Sequence, residues 1–444
     1  MKHFFFLFIL VSFSSFSQTN PIITQWIRNA NGIKGRHYVR GNSTPIQDQD
    51  SANVKRVYYS NNWVYVFANG VPGYVTGPFL DGNPSITTSQ NAIFKLPLTP
   101  QQNSGTPTAT TGGNIGLFIN GVALFDYRDG VAWNPTTQSL CGGPGNPPCP
   151  GGPGASMAWN RDAIVAERGG FDCSKGHPAM GNYHHHQNPS AFKLDRNVIS
   201  TVCNLYDADG LYVIDSTRHS PLIGFAYDGF PIYGAYAYSN TNGTGGITRI
   251  KSGFQLKNMT SRTNGPAINS TYPLGYFRED YEFIARPGQP DYLDEHNGRF
   301  CVTPEYPNGT YAYFCTVDAN WNSAYPYAVG PTFYGVRNAQ KVTSITEPVT
   351  TYNGNPNAVA NPNELNFYAY GTPDLGFIAV QINDINKVDL SVKMLSIDGK
   401  LIKSEIIPAG STINYLDTRN LYPGIYLVEL SFQGFKFTQK VAYF

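Results

Sequence analysis

Four histidines fall within ten residues, at positions 177, 184, 185 and 186, in the segment CSKGHPAMGNYHHHQNPSAF over 173–192. Imidazole is among the commonest metal ligands and changes charge near neutral pH. If residues 183–187 are extended, alternation sends His184 and His186 to one face and His185 to the other. Two imidazoles two residues apart can grip one ion, and His177 can return as a third across a turn at Met180-Gly181-Asn182. Asp228 in Tyr227-Asp228-Gly229 and His296 beside Glu295 are candidate further ligands, with Tyr183, Tyr233 and Glu295 expected around them. Two or three histidines with a carboxylate suit zinc or copper, and also non-haem iron. A catalytic metal would keep one position open for water.

The same residues admit plainer readings. The histidines can form a buried hydrogen-bond network or lie on a solvated strand, and Asp228-Gly229 and Asn297-Gly298 are ordinary turn signals. Isolated His37 and His219 are expected at the surface or as satisfied core residues. The protein is then either a metal-binding protein or a non-catalytic surface domain whose aromatic residues contact glycan or protein. A hydrolase of unspecified class is a third reading.

Strands and turns must carry this cluster. Gly (45), Pro (32), Tyr (30) and Phe (27) are abundant and charged residues are only 14%, the composition of a mainly β, loop-rich protein. Val54–Tyr59 and Trp63–Phe67 read as a hairpin, as do Ile115–Ile119 and Val122–Tyr127 about Asn120-Gly121. Val302–Tyr306 and Thr310–Thr316 flank a predicted turn at Pro307-Asn308-Gly309. One helix is predicted over Trp159–Arg168, capped by Asn160 and stopped by Gly169-Gly170. Residues 99–114 and 141–155 are rich in Gly, Pro and Thr and are expected as surface loops.

Six cysteines, at 141, 149, 173, 203, 301 and 315, suit an oxidising compartment. Sequence proximity suggests Cys141–Cys149, Cys173–Cys203 and Cys301–Cys315, although spacing alone does not choose among pairings. No C-x-x-C pair points to a zinc–thiolate site. A formal net charge of +1 without basic blocks indicates no nucleic-acid partner. There is no G-x-S-x-G, H-E-x-x-H or phosphate-binding glycine loop. Asp207-Ala208-Asp209-Gly210 begins like a calcium loop but lacks its distal ligands. The acidic residues Glu279, Asp280 and Glu282 do not by spacing alone place two carboxyls across a glycosidic bond.

The ends carry addresses. Lys2, the apolar run Phe4–Phe13 and small residues Ser15 and Ser17 read as a signal peptide over 1–17. The run is too short to span a bilayer, and no transmembrane segment is expected in the mature chain. Residues 18–345 are expected as one disulfide-stapled β-rich domain, 346–363 as a polar linker, and 364–444 as a small β-sandwich. Short alternating segments at Phe377–Ile382, Leu390–Ser396, Lys400–Ile407, Ile425–Ser431 and Phe435–Ala442 support the last.

Two resemblances add to this reading. Asn361-Pro362, SIDGKLI (396–402), TRNLYPGIY (418–426) and FKFTQKVAYF (435–444) resemble the type A C-terminal sorting domain of the type IX secretion system. That resemblance implies passage across both membranes, contact with the secretion machinery, and an extracellular or outer-membrane-surface location. Tyr183, His184 and His186 resemble the motif of the YHYH family, with His185 replacing its second tyrosine. Cys173 with Gly176-His177-Pro178, IGFAYDGFPIYG (223–234) and LDEHNGRFCVTPEYPNGTYAYF (293–314) agree with the family in order. The family implies a secreted or surface β-rich domain and licenses no reaction.

Overall fold

A computed structural model describes residues 20–29, 32–80, 85–152, 157–196, 200–206, 208, 210–353, 367–372, 375–382, 389–432 and 435–444. The predicted signal peptide, Asp207, Asp209 and the second half of the predicted linker lie outside the described residues. The fold is mainly β, and the described helices are short. No described helix is long and apolar enough to cross a membrane.

Two sheets organise the body. An eight-stranded sheet runs in the order Gly176–Ala179, Asn182–His185, Ala123–Phe125, Asn114–Phe118, Leu222–Ala226, Pro231–Tyr233, Tyr306–Phe314, Gly298–Thr303. A five-stranded sheet runs Gln340–Val342, Ala92–Pro97, Trp63–Ala68, Val54–Tyr59, Thr350–Thr351. Val57, Val66 and Leu96 of the second share one apolar core with Leu117, Phe118, Phe225 and Tyr313 of the first. Fully burying a large apolar side chain is worth about 1.5–3 kcal/mol.

The first two predicted hairpins form, with Val57 opposite Val66 and Leu117 opposite Ala123. The third turns elsewhere. Thr303 pairs with Tyr306, so the turn is Pro304-Glu305 and the Pro307–Gly309 segment lies inside the second strand. The predicted helix is also shorter. Asn160–Asp162 is a strand, and Asp162 rather than Asn160 caps the helix Ala163–Glu167, its carboxylate accepting from the Ile164 amide at 2.8 Å. The stretch read as a linker is tied to the body as far as Tyr352. Thr350 and Thr351 pair with Tyr59 and Tyr58, and the Glu347 carboxylate accepts from the hydroxyls of Tyr65 (2.5 Å) and Ser60 (3.1 Å).

Disulfides join Cys141 to Cys149 and Cys173 to Cys203. The expected Cys301–Cys315 bond does not form, and both thiols are free and buried. Cys301 faces Thr310 across the hairpin, five residues short of Cys315, or about 17 Å at strand rise. Cys173–Cys203 closes a 30-residue separation and Cys141–Cys149 one of 8. Chain entropy then assigns them about 3.5 and about 2.5 kcal/mol. Replacing Cys173 and Cys203 by alanine is expected to lower the urea midpoint more than replacing Cys141 and Cys149. The reverse order would refute the entropic account here.

The tail is a two-sheet sandwich. Phe367–Thr372, Phe377–Ile382 and Ile413–Asp417 form one sheet, in that order. The other runs Leu401–Ile407, Leu390–Ser396, Gly424–Phe432, Phe435–Tyr443. Ile378, Val380, Leu416, Val392, Met394 and Val428 fill its core. Phe367–Thr372 and Ile413–Asp417 were not foreseen.

Candidate metal centre

The histidine segment folds as a tight hairpin at the edge of the eight-stranded sheet. Gly176–Ala179 and Asn182–His185 pair antiparallel, with His177 directly opposite His184. The turn is Met180-Gly181, both at positive φ, a conformation that fits the right-handed strand twist. Gly176 is obligatory, because a β-carbon there would stand 2.4 Å from the Tyr183 hydroxyl oxygen. A carboxylate braces the hairpin from behind. Asp172 accepts from the amides of Gly77 (2.9 Å), Ser174 (2.9 Å) and Gly176 (3.0 Å) and from the Tyr183 hydroxyl (2.9 Å).

Alternation then sorts the three consecutive histidines. His185 points to one side, where its Nδ1–H donates to the Lys175 carbonyl (3.0 Å) and its Nε2 accepts from the Tyr74 hydroxyl (2.7 Å). Both ring nitrogens are satisfied, and burial pushes its pKa down to about 3. It is a neutral structural residue. His184 and His186 take the other side with His177, and one ligand atom of each lies within 4.8 Å of the others. The Phe125 ring stacks on His184 at 3.9 Å and Phe171 stands edge-on to His177 at 4.9 Å.

The tautomers decide what this arrangement asks for. His184 donates Nδ1–H to the Asn182 carbonyl (2.9 Å), and His186 donates Nδ1–H to the Asp126 carbonyl (2.5 Å). Carbonyls only accept, so each ring turns an Nε2 lone pair inward. Those two atoms face each other at 3.1 Å. The Glu167 carboxylate lies 3.3 Å from His186 Nε2 and 3.3 Å from His177 Nε2. Facing lone pairs beside a carboxylate require a positive guest, either a proton or a metal ion. Burial, followed by the imidazoles of His186 and His177, holds His184 well below the ordinary histidine range. Burial pushes the Glu167 carboxyl up, but the neighbouring imidazoles of His177 and His186 outweigh it and hold the group well below the ordinary range. Glu167 is the most open member, its side chain 26% exposed against 4% for His186, so solvent reaches the cluster on its side.

The other expected partners lie elsewhere. Asp228 accepts from the Tyr313 hydroxyl (2.6 Å) and the amides of Gly335 (2.8 Å) and Phe230 (3.3 Å). That is the work of a buried turn, with burial pushing the carboxyl up to about 6 against those bonds. His296 shares a hydrogen bond with Thr332 Oγ1 (2.6 Å), and Glu295 is exposed. Tyr233 bonds Thr303 and Glu305, both at 2.8 Å. Among the described residues, the metal-capable histidine group holds His177, His184 and His186, without Asp228 or His296. Tyr183 supports the hairpin through Asp172 rather than touching the three rings. His37 contacts Asp48 at 2.6 Å and His219 bonds the Ser220 carbonyl at 2.8 Å. Asp280 pairs with buried Arg262, and Glu279 bonds Asn160, so neither is a free acid.

Glu167 is the member that sequence reading missed. A signal was present: an acidic residue sits in the last turn of the predicted helix, where the dipole disfavours negative charge. Many tyrosines that would have formed an aromatic contact face, including Tyr65, Tyr127, Tyr212, Tyr311 and Tyr313, are buried in the core.

The model of the family described as YHYH protein matches residues 93–326, more than half of the chain, and includes the helix of Glu167, the histidine hairpin and the strands beside them. A second model, described as secretion system C-terminal sorting domain, matches residues 368–443. No curated protein matches the chain. The hairpin of Tyr183, His184 and His186 and the tail sandwich thus coincide with the two matches: the chain belongs to the YHYH protein family and carries a type IX C-terminal sorting domain, which marks it for export to the cell surface or beyond.

Proposed function

We propose that this exported protein binds one divalent transition metal, zinc or copper, through His177, His184 and His186, with Glu167 as the adjoining carboxylate. The observation that carries the reading is the pair of Nε2 atoms facing each other at 3.1 Å while both Nδ1–H groups are anchored on backbone carbonyls. Metal-bound histidines are held in this way, the outer nitrogen fixing tautomer and ring angle. The 3.1 Å between His184 and His186 and the 3.3 Å from Glu167 to His186 match the edge of about 3.3 Å expected for a tetrahedron with metal–nitrogen arms of about 2.0 Å, while the three imidazole ligand atoms spread over up to 4.8 Å and would draw together around an ion. Imidazoles with one carboxylate suit zinc or copper and disfavour the hard, oxygen-seeking calcium and magnesium ions.

The test is metal analysis of the purified mature chain. After dialysis against a weak chelator and titration with Zn2+ or Cu2+, about one tightly held equivalent per chain is expected. Protons compete for the same lone pairs, so affinity is expected to fall at acidic pH, and because burial and the neighbouring imidazoles hold His184 well below the ordinary histidine range, the fall sets in below that range. Neither metal being retained, or retention indifferent to pH, would overturn the reading.

A further inference from the structure

The first sheet of the sorting domain is buried on both faces. Its strand Phe377–Ile382 reads FIAVQI, and all but Gln381 is buried. A sheet with one solvated face alternates apolar and polar residues, whereas a near-continuous apolar run marks a strand covered on both sides. Ile378, Val380 and Ile382 point into the sandwich core. Phe377, Ala379, Ile413 and Tyr415 point the other way and share a cluster with Phe192, Cys203 and Val213 of the YHYH domain.

Polar contacts fix the orientation. The Lys193 ammonium stands over the rings of Tyr415 (4.4 Å) and Phe377 (4.9 Å), and the Arg218 guanidinium over Tyr368 (3.6 Å). Thr412 donates its hydroxyl to the Leu211 carbonyl at 2.6 Å, and Tyr370 donates to the Ile214 carbonyl at 3.3 Å. Gly410, at φ +84°, approaches so closely that a β-carbon there would stand 2.9 Å from both Asn53 Nδ2 and Ile33 Cδ1. The fit is not flush everywhere, since a cleft of about 310 Å3 remains where Gln381 and Ile382 meet His219 and Leu222.

We infer that the outer face of this sheet is an intramolecular docking surface committed to the Cys173–Cys203 segment and the chain that follows it. The sorting domain therefore rides as a fixed cap on the folded body. The second sheet, whose strand Leu401–Ile407 is largely exposed, is then the face left open to the export machinery. A body that has not closed the Phe192–Val213 region offers no seat for the cap, so seating reports that the cargo has folded. An isolated sorting domain would expose Phe377, Ala379, Ile413 and Tyr415 to water, an apolar face that a free domain would not maintain.

The experiment places a protease site between residues 354 and 366 of the full chain, cuts it, and follows the two fragments by size exclusion. The cut protein is expected to co-elute at the size of the intact chain. Ala379→Arg puts a charge into the centre of the contact while leaving Ile378 and Val380 in the tail's own core, and its cut fragments are expected to separate completely. Lys193→Ser lies on the body outside the tail's core and is expected to increase the separated fraction without changing the circular dichroism spectrum. Separation of the cut wild-type fragments, or co-elution of folded Ala379→Arg fragments, would overturn the inference.

Discussion

His186→Ala is expected to abolish the proposed metal binding and, with it, any effect of a chelator on the melting temperature. His186 is the hinge of the cluster, since its Nε2 lies 3.1 Å from His184 and 3.3 Å from Glu167. No other described histidine occupies that position. Mutating a mere outer-shell partner of a metal ligand already costs about 10–100-fold in affinity, and removing the ligand itself costs more. An ion present at a thousand times its dissociation constant stabilises the folded chain by about 4 kcal/mol. Wild-type protein is therefore expected to lose several degrees of melting temperature on chelation and to regain them with one equivalent of metal.

The variant loses stability for a second reason. The Asp126 carbonyl keeps its place but loses its donor, at a cost of about 1–3 kcal/mol for a buried acceptor. A purely structural histidine network would show that loss alone, with no response of either protein to chelator. The response of the wild type separates the two accounts, and equal metal in wild type and variant would sink the assignment. Glu167→Gln adds a graded comparison. It keeps the shape but removes the negative charge beside two imidazoles, so weakened rather than abolished binding is expected.

The parts of this centre that sequence revealed are those governed by local rules. Strand alternation separates His184 and His186 from His185, and a glycine turn folds His177 back opposite His184. The partner that escaped notice, Glu167, comes from a separate helix, and nothing local specifies that its carboxylate meets two histidines. Asp228 was a plausible ligand by residue type, yet three hydrogen bonds spend it on a turn.

The cysteine error has a geometric root. A hairpin turning at Pro307–Gly309 would set Cys301 and Cys315 equally far from its tip and therefore opposite each other. The real turn at Pro304-Glu305 displaces them by five residues. The strength of the Pro-Asn-Gly signal lies in local turn propensity, whereas the register is set by cross-strand packing of Tyr311 and Tyr313 in the core. The tail was legible in its strands because their spacing is regular. Its docking was legible only in the unbroken FIAVQI run, whose meaning depends on what covers the second face.

Lys175→Met is expected to be the most damaging single change outside the histidine cluster. The Lys175 ammonium is wholly buried and bonds Asp195 at 2.9 Å and Ser190 Oγ at 3.0 Å. Its carbonyl holds His185, and its backbone lies at φ +64° in the turn that launches the hairpin. Methionine fills the same volume but leaves the Asp195 carboxylate buried without its counter-ion. Breaking a buried pair from one side costs about 3–5 kcal/mol, a large share of the roughly 5–15 kcal/mol that holds a typical domain together.

The pH dependence has a definite sign. Burial already pushes the Asp195 carboxyl up to about 6, even with Lys175 and Arg168 pulling it down. Without Lys175 it rises further, so the carboxyl becomes neutral at a higher pH and no longer needs a cation once protonated. The deficit in urea midpoint is therefore expected to be largest at alkaline pH, to shrink through the range above 6 in which the variant's carboxyl takes up its proton, and to have lapsed below about 6, where the wild-type carboxyl is protonated as well. Lys175→Met combined with Asp195→Leu removes both charges and is expected to recover most of the loss at pH 8, because an apolar replacement of a buried pair is often neutral. A deficit that is flat with pH, or a double variant no better than the single, would show that Lys175 acts through its backbone and not through its charge.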